Sequence, residues 1–416
     1  MKKCLSFLLV VLLLAGCTAA PAATEPIETL QPTVSEIQAE PKASQPQLYK
    51  VTDVNSVGYY STMAGDDGWW GICLDFAAGE EKRIDPPETI RGERRMGTLL
   101  ADDTYLYWIW SDFYTTTPKL IRTDLDGQNA VGVTMPQGWY LSGRNGIYRA
   151  GDCVYLKGGE ISDNPNRQDE KRLLCADFAN DTVTTVTGWD ELGGSLIGIW
   201  QDKLLLTRNV LDAYSPERPQ IKNYQITNMA HLRPYMTTSL YALDLVAEEE
   251  TELQSEKDSN LFDARFYYDG SFWHVENDQL LYRLADSNTD IAVAELPGEM
   301  SLDGVYEEDI MLRADGTVDK EKQILYVYDR ASRALTQSPQ RYIYHGASYG
   351  PDILCQTAPG RYLIRTQTSV MRTATWGGET STFEGVEYGY ALTDRAALLD
   401  TSVPTYPIAL QEWHID

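Results

Sequence analysis

The sequence predicts an all-β fold: a β-propeller of seven four-stranded blades, preceded by a signal peptide and a disordered linker. Three observations support this prediction. Apolar runs that end in Asp recur along the chain, helical periodicity is almost absent, and Tyr and Trp, which suit strands, number 26 and 10. We divide the chain into a signal peptide (1–16), a linker that begins with a modified cysteine (17–47) and the propeller domain (48–416).

The first residues have the pattern of a signal peptide. Two lysines at positions 2 and 3 precede an apolar run over 5–14, which is shorter than the roughly 20 residues of a bilayer-spanning helix. The string Leu-Ala-Gly-Cys, which ends at Cys17, resembles the lipobox of bacterial lipoproteins. That resemblance implies cleavage before Cys17, which then carries diacylglycerol and usually an N-acyl chain such as palmitate. We therefore expect a lipid anchor on the extracytoplasmic face of the cell membrane. The alternative is an ordinary secretory signal with a chance cysteine.

The next segment is predicted to be an extended spacer. Residues 18–47 contain few apolar residues and five prolines, so they cannot bury enough surface to fold. About 30 residues at roughly 3.1 Å each could span about 90 Å. We expect order to begin near Leu48.

The net charge limits the class of partner. The chain carries a formal charge of −26, which becomes −28 without the two lysines of the signal peptide. Nucleic acid and anionic lipid would be repelled, so we expect no nucleic-acid partner and membrane contact through the lipid anchor only. The acidity can equally serve solubility alone. We expect a monomer.

The repeat is the main evidence for the fold. The third strand of each predicted blade ends at a recurring position, which is Asp in six blades and Ala in one. These ends are Asp75, Asp124, Asp177, Asp244, Ala285, Asp329 and Asp394. A period of about 40–50 residues with four short strands is typical of propeller blades. We interpret the aspartates as turn residues that bond to their own backbone, because the calcium-loop alternative at 124–127 lacks the later ligands. For ring closure, we expect a strand near Leu48–Val54 to lie beside the strands of 352–410.

The blade rhythm over residues 48–416 and the string Asp124-Leu125-Asp126-Gly127 resemble the YWTD-type, low-density-lipoprotein-receptor-like propellers of bacterial lipoproteins. The Tyr-Trp-Thr-Asp motif itself is absent, and residues 107–110 are the nearest string. The class has no single activity, so the resemblance implies an architecture and no function.

Motifs for catalysis and metal binding are missing from the sequence. The four histidines have no metal-binding spacing, and no nucleophile-elbow motif is present, so we assign no catalytic residue, metal or cofactor. The four cysteines of the domain show no zinc pattern and are interpreted as buried free thiols. The alternative is a disulfide between Cys153 and Cys175, which fall in neighbouring strands.

Three long insertions are the predicted functional feature. They span about Gly158–Glu170, Asn209–Thr238 and Thr368–Val386, and each connects the second and third strands of a blade. Equivalent connections emerge on one face, and loops of this length are usually functional or disordered. Their cationic and aromatic residues suit a polar or anionic ligand. The candidate ligand-binding residues are Arg218, Tyr224, His231, Arg233, Tyr235 and Trp376.

We expect a module that binds a protein or carbohydrate ligand. The first alternative is a propeller enzyme, a lyase or hydrolase acting on cell-wall or dietary carbohydrate, which would need bonded groups of perturbed pKa in a deep pocket. The second alternative is a structural partner in an envelope assembly.

Overall fold

The computed structural model describes residues 46–65, 68–93, 97–111, 117–143, 146–161, 171–189, 193–212, 233–259, 261–315, 321–376 and 379–411. Almost all regular structure in these residues is antiparallel β-sheet, and successive strands along the chain pair with each other. The exceptions are one short helix, α1 (Arg395–Leu399), and a 3₁₀ turn (Arg233–Tyr235). The all-β β-propeller predicted from the sequence is therefore confirmed. In the described residues, no helix has the length and apolar character of a membrane span.

The strands of the first half of the domain form four sheets. Sheet 1 contains β2 (Gly58–Gly65), β3 (Gly68–Asp75) and β4 (Glu80–Ile84). Sheet 2 contains β5 (Thr98–Ala101), β6 (Tyr105–Trp110), β7 (Lys119–Asp124) and β8 (Val131–Val133). Sheet 3 contains β1 (Tyr49–Val51), β9 (Trp139–Ser142), β10 (Ile147–Ala150), β11 (Cys153–Glu160), β12 (Lys171–Asp177) and β13 (Thr182–Trp189). Sheet 4 contains β14 (Leu196–Trp200), β15 (Lys203–Leu211), β16 (Met236–Asp244) and β17 (Glu249–Lys257).

The second half forms four more sheets. Sheet 5 contains β18 (Tyr267–Tyr268), β19 (Ser271–Glu276), β20 (Gln279–Leu284) and β21 (Asp290–Glu295). Sheet 6 contains β22 (Ser301–Val305), β23 (Asp309–Ala314), β25 (Ile324–Asp329) and β26 (Ala334–Gln337). Sheet 7 contains β29 (Asp352–Ala358), β30 (Arg361–Trp376), β31 (Glu379–Asp394) and β32 (Tyr406–Pro407). A further sheet, which we call the accessory sheet, contains β24 (Glu321–Lys322), β27 (Tyr342–Tyr344) and β28 (Ala347–Tyr349).

The predicted count of seven four-stranded sheets is wrong, because the described residues form eight sheets and not all of them have four strands. Sheet 1 and the accessory sheet have three strands each, and sheet 3 has six. The accessory sheet escaped the sequence analysis because its strands are only two or three residues long and carry no repeat. Six of the seven predicted third-strand ends are correct, since β3, β7, β12, β16, β25 and β31 each end at the expected Asp. The seventh strand, β20, ends at Leu284, one residue before the predicted Ala285.

Apolar packing between neighbouring sheets forms the core. The clusters join sheets 1 and 2, 2 and 3, 3 and 4, 4 and 5, 5 and 6, 6 and 7, and finally 7 and 1. Trp108 of sheet 2, for example, is fully buried against Trp69 of sheet 1, with ring centroids 5.6 Å apart. Middle strands are therefore nearly all apolar, as in β6, whereas outer strands such as β13 expose polar side chains to water.

The two chain ends behave differently from the prediction for ring closure. The strand Tyr49–Val51 pairs with β10 of sheet 3 and does not lie beside the strands of sheet 7. The reason is that Val51 is fully buried between sheets 2 and 3. The C-terminal end does contribute to closure: Ile408 packs against Leu74 of sheet 1, and Ala409 exchanges backbone hydrogen bonds of 2.8 Å with sheet 1 and the turn before β4.

Residues 48–60 form a continuous connection across three sheets, and we call them the N-terminal segment. After β1 has paired with β10, Thr52 exchanges two backbone hydrogen bonds with Ala101 of β5. The amide of Tyr60 in β2 then donates to the carbonyl of Asp53 at 2.6 Å. Because β10 and β5 are the first strands of the repeating units of sheets 3 and 2, which lie nearest the central channel of a propeller, the N-terminal segment lines that channel.

Candidate ligand-binding site

The sequence-predicted site residues are only partly visible. Cys17, Arg218, Tyr224 and His231 lie outside the described residues. Arg233 and Tyr235 belong to the 3₁₀ turn that leads into β16, and the carbonyl of Tyr235 accepts a hydrogen bond from the amide of Asp212 at 2.8 Å. The two ends of this insertion are thus held together by the hairpin β15/β16, which is paired as far as Leu211 and Met236.

The predicted insertion in the last blade is not a loop. Strands β30 and β31 are paired continuously from Arg361 opposite Asp394 to Trp376 opposite Glu379. Trp376 therefore lies at the tip of a long hairpin. The many Thr and Val residues of this stretch favour strand, which the loop interpretation overlooked. Gly158–Glu160 likewise belongs to β11, whereas 162–170 lies outside the described residues.

The connections between second and third strands, and those between successive sheets, share one face, which we call the upper face. A cavity of about 500 Å³ opens there between sheets 1 to 3 and the connection that enters sheet 5, and we call it the channel-mouth cavity. Its lining combines charged, hydroxyl and glycine groups. Among the lining residues are Lys50, Asp53, Tyr59, Thr62, Gly146 and Arg265. A cavity of this size, with a few polar groups facing inward, is typical of sites for small ligands.

Lys50 and Asp53 give the channel-mouth cavity its electrostatic character. Both side chains are exposed to solvent, although the protein atoms of the cavity wall surround them. Burial lowers the pKa of Lys50, and the nearby charge of Asp53 opposes this shift. Burial raises the pKa of Asp53, against the hydrogen bond that its carboxylate accepts from the Tyr59 hydroxyl and the charge of Lys50. The surroundings thus disfavour the charged form of each group.

A second cavity adjoins the first. A cleft of about 610 Å³ lies between sheets 4 and 5, and its lining includes Thr207, Asn209, Met236, Phe262, Trp273 and His274. Arg265 and Ala264 line both cavities, so the cleft and the channel-mouth cavity meet at this point. The guanidinium of Arg265 is already paired with the carboxylate of Asp263 at 2.6 Å. The insertion predicted from the sequence starts and ends at this cleft, because Asn209 and Thr238 both belong to its wall.

One group of side chains has the composition of a metal site. His274, Glu276 and Asp290 can bring three ligand atoms within 4.8 Å of one another. Arg283, however, donates to both oxygens of Asp290, at 2.7 and 2.6 Å, and also pairs with Glu256. A metal ion would have to compete with this guanidinium for the same carboxylate. The geometry therefore favours an ion-pair network over a metal centre.

The recurring aspartates are structural, as predicted. Four of them accept hydrogen bonds from the amides two and three positions later, with distances of 2.8–3.2 Å. These are Asp75, Asp177, Asp244 and Asp329. The carboxylates close the turns after the third strands, which is a structural role and not the coordination of an ion.

The four cysteines in the described part of the chain form no disulfide. Cys73 and Cys355 are buried, as expected, whereas Cys153 and Cys175 are half-buried and their thiols are in hydrogen-bond contact. Burial raises the pKa of Cys73 to about 11 and that of Cys355 to about 12. Thiols with raised pKa values are weak nucleophiles at neutral pH. Covalent catalysis therefore has no support from these cysteines.

Sequence reasoning missed the channel-mouth cavity. Lys50 and Asp53 were included only in a strand expected to close the ring, and Arg265 was not considered. The available signal was a pair of opposite charges, Lys50 and Asp53, on either side of the fully buried Val51. A pattern of this kind does not show which sheet edge the strand will join.

Comparisons with known proteins leave the family open. No family model matches the chain, and no curated protein matches it, so membership of the YWTD-type class has no support. Solved structures that resemble it include an oligogalacturonate lyase in complex with manganese, at 11% identity and a TM-score of 0.31, covering 82% of this chain and 98% of that one. TolB from Acinetobacter baumannii matches at 10% identity and a TM-score of 0.31, and the match covers 81% of this chain and 77% of that one. A prolyl endopeptidase matches at 10% identity and a TM-score of 0.37, and the match covers 72% of this chain and 54% of that one. These similarities are too low to transfer an activity.

Proposed function

We propose that this chain is a lipid-anchored, extracytoplasmic binding module that holds a small polar ligand in the channel-mouth cavity. The observation that carries the proposal is the chemistry of this cavity. Lys50, Asp53 and several hydroxyl groups face a space of about 500 Å³ beside glycine backbone. Groups of this kind orient a ligand, and the rest of the wall excludes water around it.

The same lining argues against the hydrolase alternative. In the described part of the cavity wall, no serine or threonine hydroxyl donates to a histidine or a carboxylate. Thr62, for example, donates to the carbonyl of Gly97 at 3.3 Å, and Thr52 to that of Val54 at 3.2 Å. A serine or threonine nucleophile requires an adjacent base. No specific observation favours a lyase.

The cavity is tested by filling it. Thr62→Trp places an indole in the channel-mouth cavity, and Thr182→Trp on the exposed outer strand β13 is the matched control. The full chain, purified in detergent, is dialysed to equilibrium against a mixture of sugars, sugar acids, amino acids and carboxylic acids. Mass spectrometry then identifies what the protein retains. We expect Thr62→Trp to lose a ligand that the control keeps. Equal retention by both variants would place the site elsewhere.

The anchor is tested separately. Cys17→Ala removes the only residue to which the lipobox resemblance attaches lipid. We expect the variant to leave the membrane fraction or to remain unprocessed, because anchoring needs the acyl chains. Unchanged membrane partition and unchanged mass of the variant would refute the lipid anchor and leave the binding proposal standing.

A further inference from the structure

The channel-mouth cavity contains one positive and one negative side chain that do not pair with each other. Among the described residues, neither Lys50 nor Asp53 has an ion-pair partner within 4 Å, although their charges influence each other. The other cation of the wall, Arg265, is already neutralised by Asp263. The cavity therefore presents two opposite and separate charges.

The backbone fixes the positions of the two residues that carry these charges. Lys50 lies in β1, opposite Tyr148 of β10. Asp53 is held three residues later by its carbonyl, which accepts from the amide of Tyr60 at 2.6 Å, and by its carboxylate, which accepts from the Tyr59 hydroxyl. Between them, Thr52 is bonded to sheet 2 through both its amide and its carbonyl. Because each part of the segment is bonded to a different sheet, the backbone positions of Lys50 and Asp53 are fixed relative to each other. A site arranged in this way loses little conformational entropy on binding.

We propose that the ligand is a zwitterion with a free amino group and a free carboxylate, as in an amino acid or a short peptide. Its carboxylate binds the Lys50 ammonium, and its ammonium binds the Asp53 carboxylate beside Tyr59. This inference rests on the proposed function, since it names the ligand class of the same cavity. A neutral sugar would form an ion pair with neither group, and a simple anion would pair with Lys50 alone. A ligand with both charges can form a charge-assisted hydrogen bond with each of the two groups.

The test uses equilibrium dialysis of the full chain, in detergent, against two pools. One contains the twenty free amino acids and the other contains glycyl dipeptides, so that the two sources of the same chemistry are distinguished. Each pool is accompanied by its N-acetylated and its C-amidated forms. We expect retention of at least one free-ended compound, roughly tenfold above both of its blocked forms.

Substitutions connect this retention to the two charges. Lys50→Met and Asp53→Asn should each lower it roughly tenfold or more, and Lys50→Arg should keep part of it. Lys82→Met is the matched control, because Lys82 pairs with Asp75 on sheet 1 and does not line the cavity. Melting curves and gel filtration establish that each variant is folded. Should Lys50→Met fail this check, Lys50→Gln replaces it.

The outcomes separate this inference from the proposed function. The zwitterion proposal would be wrong if free and blocked compounds were retained equally. It would also be wrong if the folded Lys50 and Asp53 variants retained the same amount as the parent protein. If the cavity retains only sugars or simple acids and Thr62→Trp abolishes this, the binding function stands and the ligand class is wrong. If nothing is retained from any pool, both proposals fail.

Discussion

Arg149 of sheet 3 donates from its Nε to the Oδ2 atom of Asp102 of sheet 2, at 2.6 Å, and both side chains are largely buried. The carboxylate of Asp102 also accepts from the amides of Thr104 and Tyr105, at 2.8 and 2.9 Å, and from the hydroxyl of Tyr107 at 3.1 Å. Every acceptor direction of this carboxylate is thus in use. The ion pair connects two sheets that also share an apolar cluster and a second ion pair, between Arg122 and Asp152 at 2.8 Å.

Removal of the guanidinium should destabilise the propeller strongly. Arg149→Met leaves the buried Asp102 carboxylate without its cation, which costs about 3–5 kcal/mol when a buried pair is broken. The control is Lys322→Met, since the Lys322–Asp315 pair is exposed at 3.7 Å and such pairs contribute about 0–1 kcal/mol. Urea unfolding at neutral pH gives the two free energies. An equal loss of unfolding free energy in the two variants would show that the buried pair stabilises the protein no more than the exposed pair does.

A glycine in sheet 4 should not tolerate a side chain. A Cβ atom at Gly198 would lie 2.2 Å from Cε1 of Tyr267, whose hydroxyl donates to the carbonyl of Ile199 at 2.7 Å. Gly198→Ala must displace this ring, and overpacking of this kind costs about 1–3 kcal/mol. Gly188→Ala in β13 is the matched control, because nothing lies within 4 Å of its Cβ position. Thermal melting should show a lower midpoint for Gly198→Ala only, and a similar midpoint for both would contradict the packing argument.

Stability should fall as the pH is lowered below about 6.5, the usual pKa of histidine. Burial lowers the pKa of His274 in the folded protein, and the charge of Asp290 only partly opposes this shift. The unfolded chain therefore binds a proton at this residue at a higher pH than the folded chain does, so acid favours unfolding. Urea unfolding at pH 7.5 and at pH 5.5 measures how much unfolding free energy is lost in acid, and this loss should be smaller in His274→Leu. The same loss in the variant would assign the pH dependence to other groups.

The insertion between β15 and β16 should be dispensable for folding. Replacing 213–232 by a short glycine-containing turn keeps the hairpin paired at Leu211 and Met236. Loop length changes closure entropy only slightly, by about 0.6 kcal/mol for each doubling. The deletion removes Arg218, Tyr224 and His231, so we expect normal melting and loss of partner binding at the upper face. An unfolded product would identify the insertion as part of the core, and full partner binding would refute the role of these three residues.

The sequence predicted the structure best at the ends of the third strands, where Asp recurs for a single physical reason. The third-strand aspartates could be located because each closes a turn with its own carboxylate, and this requirement is local. The hairpin that ends at Trp376 was misread as a loop because its length departs from the repeat. The accessory sheet could not be predicted, since it joins residues 321–322 to 347–349 by pairing that only the folded ring brings together.

The position of Lys50 and Asp53 could not be predicted, because the sequence does not show which sheet edge their strand joins. A three-residue strand can join any free sheet edge, and the choice between sheet 7 and sheet 3 depends on how well Val51 and Leu48 pack there. Such packing is non-local and leaves no periodic mark in the sequence. The channel-mouth cavity follows from that choice, so it could not be predicted before the fold was known.

The bonding of the N-terminal segment to sheets 3, 2 and 1 has a consequence for synthesis on the ribosome. The segment and all three of its partners have been made once residue 189 is complete, so these three sheets can assemble while the rest of the chain is still being translated. The boundary between sheets 1 and 7 is completed only when Ile408 and Ala409 have been made, because they add the last contacts to sheet 1. Until then Leu74 is covered by Leu363 and Leu392 of sheet 7 but not by Ile408. A chain that stops short of residue 408 therefore lacks the hydrogen bonds between Ala409 and sheet 1, and this boundary of the propeller stays incompletely packed.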